Sequence, residues 1–570
     1  TAPHFMSGVV TGERLWVAGW GDGIVSFDFP AGAAGPPDHG WTVHGKPDCH
    51  RIHQTGAEIF CTSRKSFVHV LRFKPQTLAP VWVRTVDFAT GVRTAGLTHA
   101  RGLLYVAAHQ QGLVALDLLA GPPSDGPDSP PYGPVQLASP AELHDAWDVQ
   151  RFDDTSLVVA DGAAGVRLLS ISAAGGKAPA VIGSLNLAGV AAFLDVSDSQ
   201  VAVGALNGGL HLLHMTATGK LQLQGSLPNL ELVYGVALHP QYIFAGNGAH
   251  VLTVRRPPAL LGGEPVALQR VALTRSDRYA LDVIVQGDGL LSTEFESIRK
   301  FAIDPEPPPR PMLVAPSQIY ARLAQPGGLI ESSLTLSNYG QTSLHVAYVE
   351  FSESSLHKAV ATKTIATDLT LAPGVSLTLP IVAPKTAKGQ VVHKLKVASD
   401  DPTAPLWQAE VIEGPWLRPG DTLSAMKYSD ASGKLVDVFG HFAGKPAVLM
   451  VAAESCPVVL MAMAALSDDL KPMIDAGKVR AVVLNPWDNP KEVTETAALT
   501  LSYPVLYTPL TTSDGHDWSA VLDLDLGQPA PRGPPMPVVY VVDGKGVIML
   551  ATWGYHGTAV KAALAKAKAP

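Results

Sequence analysis

Any chemistry in this chain has to come from a small set of residues, and three cysteines and nineteen histidines are the informative ones. Cys456 comes first. In "VLMVAAESCPVVLMAMAALSDDL", Val448 to Leu470, an apolar run leads into a break, the cysteine, a proline and an amphipathic stretch. The order predicts a buried strand, a sharp turn and a helix, with the thiol at the helix N-terminus. Free backbone amides and the positive end of the helix dipole lower a thiol pKa there, which suits a nucleophilic thiolate, whereas Glu454 beside it works the other way. The alternative is a relic cysteine packed in a core.

Cys49 and Cys61 flank a Thr55-Gly56 turn in "CHRIHQTGAEIFC". An antiparallel hairpin would set them opposite each other, as a cross-strand disulfide needs, and such a bridge would imply an oxidising compartment. Two independent buried thiols are the other reading. Histidines invite a metal hypothesis, above all His211 and His214 in "HLLHM". Residues three apart on a strand point to opposite faces, which removes that pair and also His50 with His53. His4, His50, His99 and His144 lie where inner strands of a repeat would converge, but surface and channel-lining roles are the expectation. Met461 and Met463, with His441, His516 and His556, suggest copper, yet helical neighbours two apart diverge by about 200°. No metal and no cofactor is expected.

Those residues need elements to hold them. A chain of 570 residues exceeds one core and predicts several domains. A formal charge of -8 with 42 Lys plus Arg leaves no basic stripe for a nucleic acid. No run reaches the roughly 18 apolar residues of a membrane span, and no charged-then-apolar leader precedes Thr1, so a chain without a membrane span is expected.

Seven segments repeat in the first half: "TGERLWVAGWGDGIVSFDF" from Thr11 and counterparts from Thr55, Ala100, Asp153, Ser197, His239 and Gln286. Their starts lie 44, 45, 53, 44, 42 and 47 residues apart, a period that predicts four-stranded propeller blades. The pattern of "LYVAAHQQGLVALDL" resembles the LVIVD-type repeats of bacterial surface and secreted proteins, and the resemblance implies a seven-bladed β-propeller over 1-304. The last unit offers three strands, so its outer strand is expected from before Thr1 or after Pro311; otherwise an edge stays open.

"DPEPPPRP", Asp304 to Pro311, predicts a stiff extended spacer. Alternating runs follow, with Asn-Tyr-Gly and Ala-Pro-Gly turns, as in a small antiparallel sandwich. "LSNYGQTSL", "LAPGVSLTL" and "ASDDPTAPLW" resemble the immunoglobulin-like domains of the abnormal-spindle and Hydin type, implying an immunoglobulin-like β-sandwich over 305-413 that binds or spaces.

From 414 to 570 strands alternate with helices, as in an α/β domain, and "MPVVYVVDGKGVIMLATW" predicts a hairpin turning at Asp543-Gly544. "GKPAVLMVAAESCP" together with "MPVVYVVDGKGVI" resembles the redoxin and thiol-disulfide oxidoreductase branch of the thioredoxin fold in bacterial envelopes. Nine residues separate Pro446 from Cys456, as in that family, so the resemblance implies that Cys456 occupies the nucleophile position and Pro537 the cis-proline position facing it. Val459 stands where the family has its resolving cysteine. A mixed disulfide on Cys456 then has no internal thiol to release it, which excludes a self-contained dithiol oxidoreductase. Ala453 stands where peroxiredoxins carry Thr or Ser, which ranks a peroxidase lower.

The chain is therefore expected to be a multidomain, mainly β, extracytoplasmic bacterial protein. It is read as a protein-binding or structural subunit meeting protein partners through propeller and sandwich surfaces, with a degenerate single-cysteine thioredoxin-like domain. The alternative is a monothiol redox factor acting on a partner disulfide through Cys456.

Overall fold

The computed structural model describes residues 4–567 except 21, 29–40, 45–47, 64–65, 89–91, 119–131, 136–139, 141, 172–178, 217–218, 229–231, 249, 259–263, 276–278, 288, 295–296, 304–309, 316–317, 325–328, 356–357, 385–391, 403, 414–418, 424–426, 431, 443, 453–456, 486–500, 508–536, 554 and 556. Most of it is strand. Residues 4–302 form seven small sheets, numbered 1 to 7 in chain order, with neighbouring strands antiparallel except that Val266–Ala267, from between the third and fourth strands of sheet 6, adds in parallel to the fourth strand of sheet 5. The repeated segments read from the sequence are the second and third strands of each sheet.

The first strands of the sheets are His4–Thr11, Arg51–Thr55, Leu97–Ala100, Asp148–Arg151, Phe193–Ser197, Val233–Leu238 and Asp282–Gln286. Each lies against the next, and Asp282–Gln286 lies against His4–Thr11, so they follow one another around a ring. Second strands such as Leu103–Ala107 and Ser156–Ala160 are buried at every residue. A strand packed between two neighbouring sheets buries both faces, which is why these read as unbroken apolar runs. The fourth strand Ala180–Leu185 instead alternates exposed and half-buried residues, as an outer strand does. Adjacent sheets are also tied by single bridges, His109 with Ala146, Gly162 with Ala191 and Leu206 with Val233. Each joins the turn after a second strand to the start of the next sheet's first strand or the chain just before it.

Sheet 7 has three strands. The strand after the proline-rich stretch, Leu313–Val314, pairs with Leu329–Asn338 and does not extend sheet 7. Among the described residues the outer edge of Ser297–Ala302 carries no fourth strand. Residues 304–309 of the proline-rich spacer lie outside the described residues. Beyond it, Met312 Sδ accepts a hydrogen bond from Leu273 N at 3.0 Å, and the Arg270 guanidinium lies 4.1 Å from the Tyr339 ring centroid. The second unit is thus seated on the fourth strand of sheet 6.

That unit has two sets of strands joined into one eight-stranded sheet by Gln318–Ala324, which pairs with Leu329–Asn338 of the first set and with Leu406–Glu413 of the second. Leu329–Asn338 pairs with Ser376–Pro384 and Leu313–Val314, and Leu344–Ser355 pairs with Lys358–Leu371 and Val392–Ser399. Leu334, Leu336 and Ile381 of the first set share a core with Phe351, Leu395, Val397 and Trp407 of the second. The two sets therefore bury one face against each other.

In the last unit Ala447–Val451 is central, parallel to Arg480–Asn485 on one side and antiparallel to Val538–Val542 on the other, with Ile548–Trp553 beyond. Its apolar run is buried on both faces. Val448 and Met450 meet the helices Pro457–Asp475 and Gly557–Lys566, whereas Ala447, Leu449 and Val451 meet Val438 and Phe442 of a short helix, Val438–Phe442. The entry to this unit is a hairpin of Lys427–Ser429 with Leu435–Asp437, which runs straight into that helix. The turn after Val542 is longer than an Asp543-Gly544 pair. Asp543 Oδ1 accepts from the N–H groups of Lys545 and Val547, and Gly546 supplies the left-handed residue at φ 82°.

Candidate functional site

Cys456 lies outside the described residues, but the frame around its position is described. The strand Ala447–Val451 leads towards it and the helix Pro457–Asp475 follows it. Val451 faces Val538 across the antiparallel pair, so Pro537, which is buried, sits at the same end of the sheet where the chain leaves for Cys456.

The helix is apolar nearly all round in its first three turns. Val459, Met463, Leu466 and Leu470, three or four apart, are fully buried and form the stripe towards the sheet. Met461, Ala465 and Asp468 form a second stripe on another side. Met461 and Ala465 are buried as well, although a helix covering one sheet normally leaves that side to water. The ring of sheets covers it. Asn207, in the turn after the second strand of sheet 5, donates from Nδ2 to Asp468 Oδ2 at 3.1 Å. One apolar cluster contains Val190, Leu206 and Leu232 of the ring together with Leu460, Met461 and Ala462 of the helix. Burial raises the Asp468 carboxyl above its ordinary range, and the Asn207 amide pulls it back. The next residue turns inward: Asp469 accepts from Tyr555 Oη and pairs with Lys561 Nζ at 2.8 Å. Met461 and Met463 are core residues. His441 bonds to the Ala481 carbonyl at 3.3 Å, and His516 lies, like His556, outside the described residues.

Cys49 and Cys61 are bonded, with Cα atoms 5.7 Å apart. The register differs from a hairpin that faces one with the other: Ile52 faces Cys61, and Cys49 precedes the strand. Cys49 N donates to Gly19 O of sheet 1 at 3.3 Å, so the bridge also ties sheet 2 to the junction with its neighbour. Both cysteines are fully buried.

The ring holds a polar centre that the histidine-led reading of the sequence missed. Asp148, Asp195 and Asp282 occupy first strands of sheets 4, 5 and 7, and each is followed by valine. Each carboxylate accepts the N–H of its own valine with one oxygen, at 2.9, 2.9 and 3.0 Å. With the other oxygen it reaches the next sheet: Asp148 accepts from Leu194 N at 2.9 Å, Asp195 from Leu238 N at 2.6 Å and Asp282 from Ser7 Oγ at 2.8 Å. Asp282 also accepts from Gly8 N. First strands expose an unpaired edge to the ring's centre, and these carboxylates satisfy amides on it. Glycine makes room: a Cβ at Gly96 would overlap Asp148, and one at Gly235 would overlap Asp282.

Arg51 answers the carboxylates. Its guanidinium lies 3.9 Å from Asp282 and 4.3 Å from the Phe193 ring centroid, so a side chain of sheet 2 reaches across to sheet 5. Burial pushes the Asp148 and Asp195 carboxyls up to about 6, and Asp282 moves the same way. Arg51 and the donated amides limit the shift for Asp148 and Asp282. The signal was in the sequence as Asp-Val in "AWDVQ", "FLDVS" and "ALDVI".

A second polar group lies where sheets 3 and 4 meet. His109 Nδ1 and Trp147 Nε1 both contact Asp145, at 2.9 Å each, and buried Asp161 accepts from the N–H groups of His144 and Asp145 and from Arg167 Nε. His144 belongs to this junction, and His99 sits near His53 instead, which burial holds down at about 4. His50 lies just before sheet 2, donating its N–H to Thr62 O, and the His4 side chain lies outside the described residues. Among the described residues no group of three or more His, Cys, Asp or Glu is arranged to hold a metal ion. No described helix is long and apolar enough to cross a membrane.

No protein-family model matches the chain, and no curated protein matches it. Solved structures that it resembles are β-propeller domains. They include the β-propeller domain of Myceliophteria thermophila Cps50 (Swd1), at 12% identity and TM-score 0.41, covering 53% of this chain and 98% of that one. The RRP9 WD40 repeats match at 13% identity and TM-score 0.39, covering 53% and 94%. The WD40 β-propeller domain of Doa1 matches at 12% and 0.37, again covering 53% and 94%.

Proposed function

We propose that the chain is a protein-binding or structural subunit working outside the cytoplasm. In this reading residues 1–304 form a seven-bladed β-propeller of LVIVD type, 305–413 an immunoglobulin-like domain and 414–570 a redoxin-like domain retaining one cysteine. The observation that carries it is the double burial of the helix Pro457–Asp475, packed on its own sheet by one stripe and on the ring by another. A domain whose main helix is committed to an internal interface serves assembly, and the polar clusters of the ring are bonded among themselves. The Cys49–Cys61 bridge supports an oxidising compartment.

The second reading, a monothiol redox factor, draws support from buried Pro537 at the sheet end next to the Cys456 segment. Alkylation of Cys456 in the folded protein, followed against pH with Cys456→Ser as control, separates them. The binding reading expects labelling to wait for denaturant. Fast labelling with an apparent pKa well below about 8.5 would replace it with the redox reading.

A further inference from the structure

We propose that His109 and His144, where sheets 3 and 4 meet, hold a divalent transition-metal ion such as Cu2+ or Zn2+ between them, with water in its remaining positions. The site is independent of the binding reading. Three junctions carry a single bridge, and the residue that each takes from the turn after a second strand is left-handed: His109 at φ 48°, Gly162 at φ 56° and Leu206 at φ 29°. Glycine adopts that conformation freely, and a residue with a Cβ does so at a cost. Sheet 4 avoids the cost, whereas sheets 3 and 5 bear it and keep a side chain, a sign of use. The use of Leu206 is visible, since it joins the apolar cluster that seats the helix Pro457–Asp475 on the ring.

The His109 ring is held from one side only. Its Nδ1 lies 2.9 Å from Asp145 Oδ1, and Trp147, which donates to the other Asp145 oxygen, meets the imidazole edge-on with ring centroids 4.9 Å apart. An ionised carboxylate only accepts, so in the neutral ring Nδ1 carries the proton and Nε2 the lone pair. That nitrogen has no partner among the described residues and is not sealed from solvent. His144 repeats the arrangement, with Nδ1 3.2 Å from Asp161 Oδ2 and a side chain 63% exposed, free to adjust. Asp161 also fixes the N–H groups of His144 and Asp145, so one buried carboxylate orders the segment behind both rings. A histidine that gives its Nδ1 proton to a carboxylate and offers Nε2 outward is set up as a metal ligand. Here two such rings are close: Ala146 is the bridge partner of His109 and stands two residues from His144, which puts the histidine Cα atoms within about 13 Å of each other. Two carboxylates against the single guanidinium of Arg167 leave the group net negative, which favours a cation. Imidazole pairs suit borderline ions, Cu2+ above Zn2+.

Titration of the full chain with Cu2+, followed by tryptophan fluorescence and electron paramagnetic resonance, tests the site. The first equivalent should bind with two imidazole nitrogens coupled to copper and should quench Trp147, so that Trp147→Phe removes most of the quenching while the ion still binds. Excess Zn2+ should compete for the same place. Gly162 shows that glycine fits the bridging position, so His109→Gly should fold and unfold at the temperature of the unmodified protein or above, with affinity for the first Cu2+ at least about tenfold lower. His144→Asn should lose as much. Asp145→Asn keeps both imidazoles but not the carboxylate behind His109, and should weaken binding by roughly ten- to a hundredfold. Coordination by a single imidazole would overturn the proposal, as would a first Cu2+ that binds His109→Gly as tightly as the unmodified chain.

Discussion

The ring and the last unit bury carboxylates in opposite ways. In the ring one arrangement recurs three times among the described residues: an aspartate on a first strand binds the amide of its own valine and a donor of the next sheet, with Arg51 acting on Asp148 and Asp282. In the last unit two consecutive aspartates part company, Asp469 inward to Tyr555 and Lys561, Asp468 outward to Asn207 of the ring. The difference teaches where charge is structural by repetition and where it is a single fitted contact. A repeated bond organises every sheet that carries it, whereas a fitted one sets only how two units meet.

The sharpest test of the comparison removes one repeated carboxylate. Asp148→Ala leaves the N–H groups of Val149 and Leu194 without that acceptor in a buried place, and the expected loss is about 3 kcal/mol of unfolding free energy. Asp148→Asn keeps one acceptor oxygen and should cost roughly half. Denaturant unfolding of the two variants checks both the size and the order. A loss below about 0.5 kcal/mol for the alanine variant would reduce the arrangement to a bystander.

Titration comes next in size. Asp148 ionises near pH 6 in the folded ring and near 3.8 unfolded, so the folded state holds the proton more tightly. The stabilisation from that proton is complete below about pH 3.8 and is lost as pH rises through 6, a change on the order of 3 kcal/mol at most. His44, His53 and His69 work the other way. Burial lowers each to about 4, so their contribution is present above 6.5 and is lost as pH falls towards 4. Both signs operate between pH 4 and 6.5, and three histidines offset the aspartates in the whole-protein profile. The difference between unmodified protein and Asp148→Asn isolates the carboxyl: the cost of the variant should shrink as pH rises from 4 to 7 and stay flat above. A cost that grows with pH would reverse the assignment.

How far these features were legible follows from the same contrast. The seven repeats gave the second and third strands of every sheet, since a strand buried between two neighbours must be an apolar run with fixed turns. The Asp-Val pairs were equally visible, and went unread because histidines, not aspartates, were taken as the marks of a polar centre. The meeting of Asn207 with Asp468 left no trace. Two residues 261 apart, each unremarkable in its own segment, come together only through the packing of two units. For Cys49 and Cys61 the pairing was among the readings, but the route differed: Cys49 enters from outside the strand, anchored by Gly19 of the neighbouring sheet, a long-range bond that no hairpin pattern contains.

The smallest effect concerns that single contact and is the most selective. Asn207→Asp sets a second carboxylate against Asp468 at a half-buried border where Asp468 is already held above its ordinary range by burial. Like charges there should loosen the docking by about 1 kcal/mol at neutral pH, seen as faster amide exchange in residues 459–468 and in 205–209, with global stability nearly unchanged. Asp468→Asn alone exchanges a charged acceptor for a neutral one and should loosen it less. Combining Asn207→Asp with Asp468→Asn restores an amide facing a carboxylate with the ends reversed, and protection should return. Double-mutant recovery of this kind requires that the two side chains meet in solution, since substitutions acting separately would add. If the pair adds instead, the helix stripe of Met461 and Ala465 holds the units together without the polar contact, and the border between ring and last unit would prove as apolar as the core on either side of it.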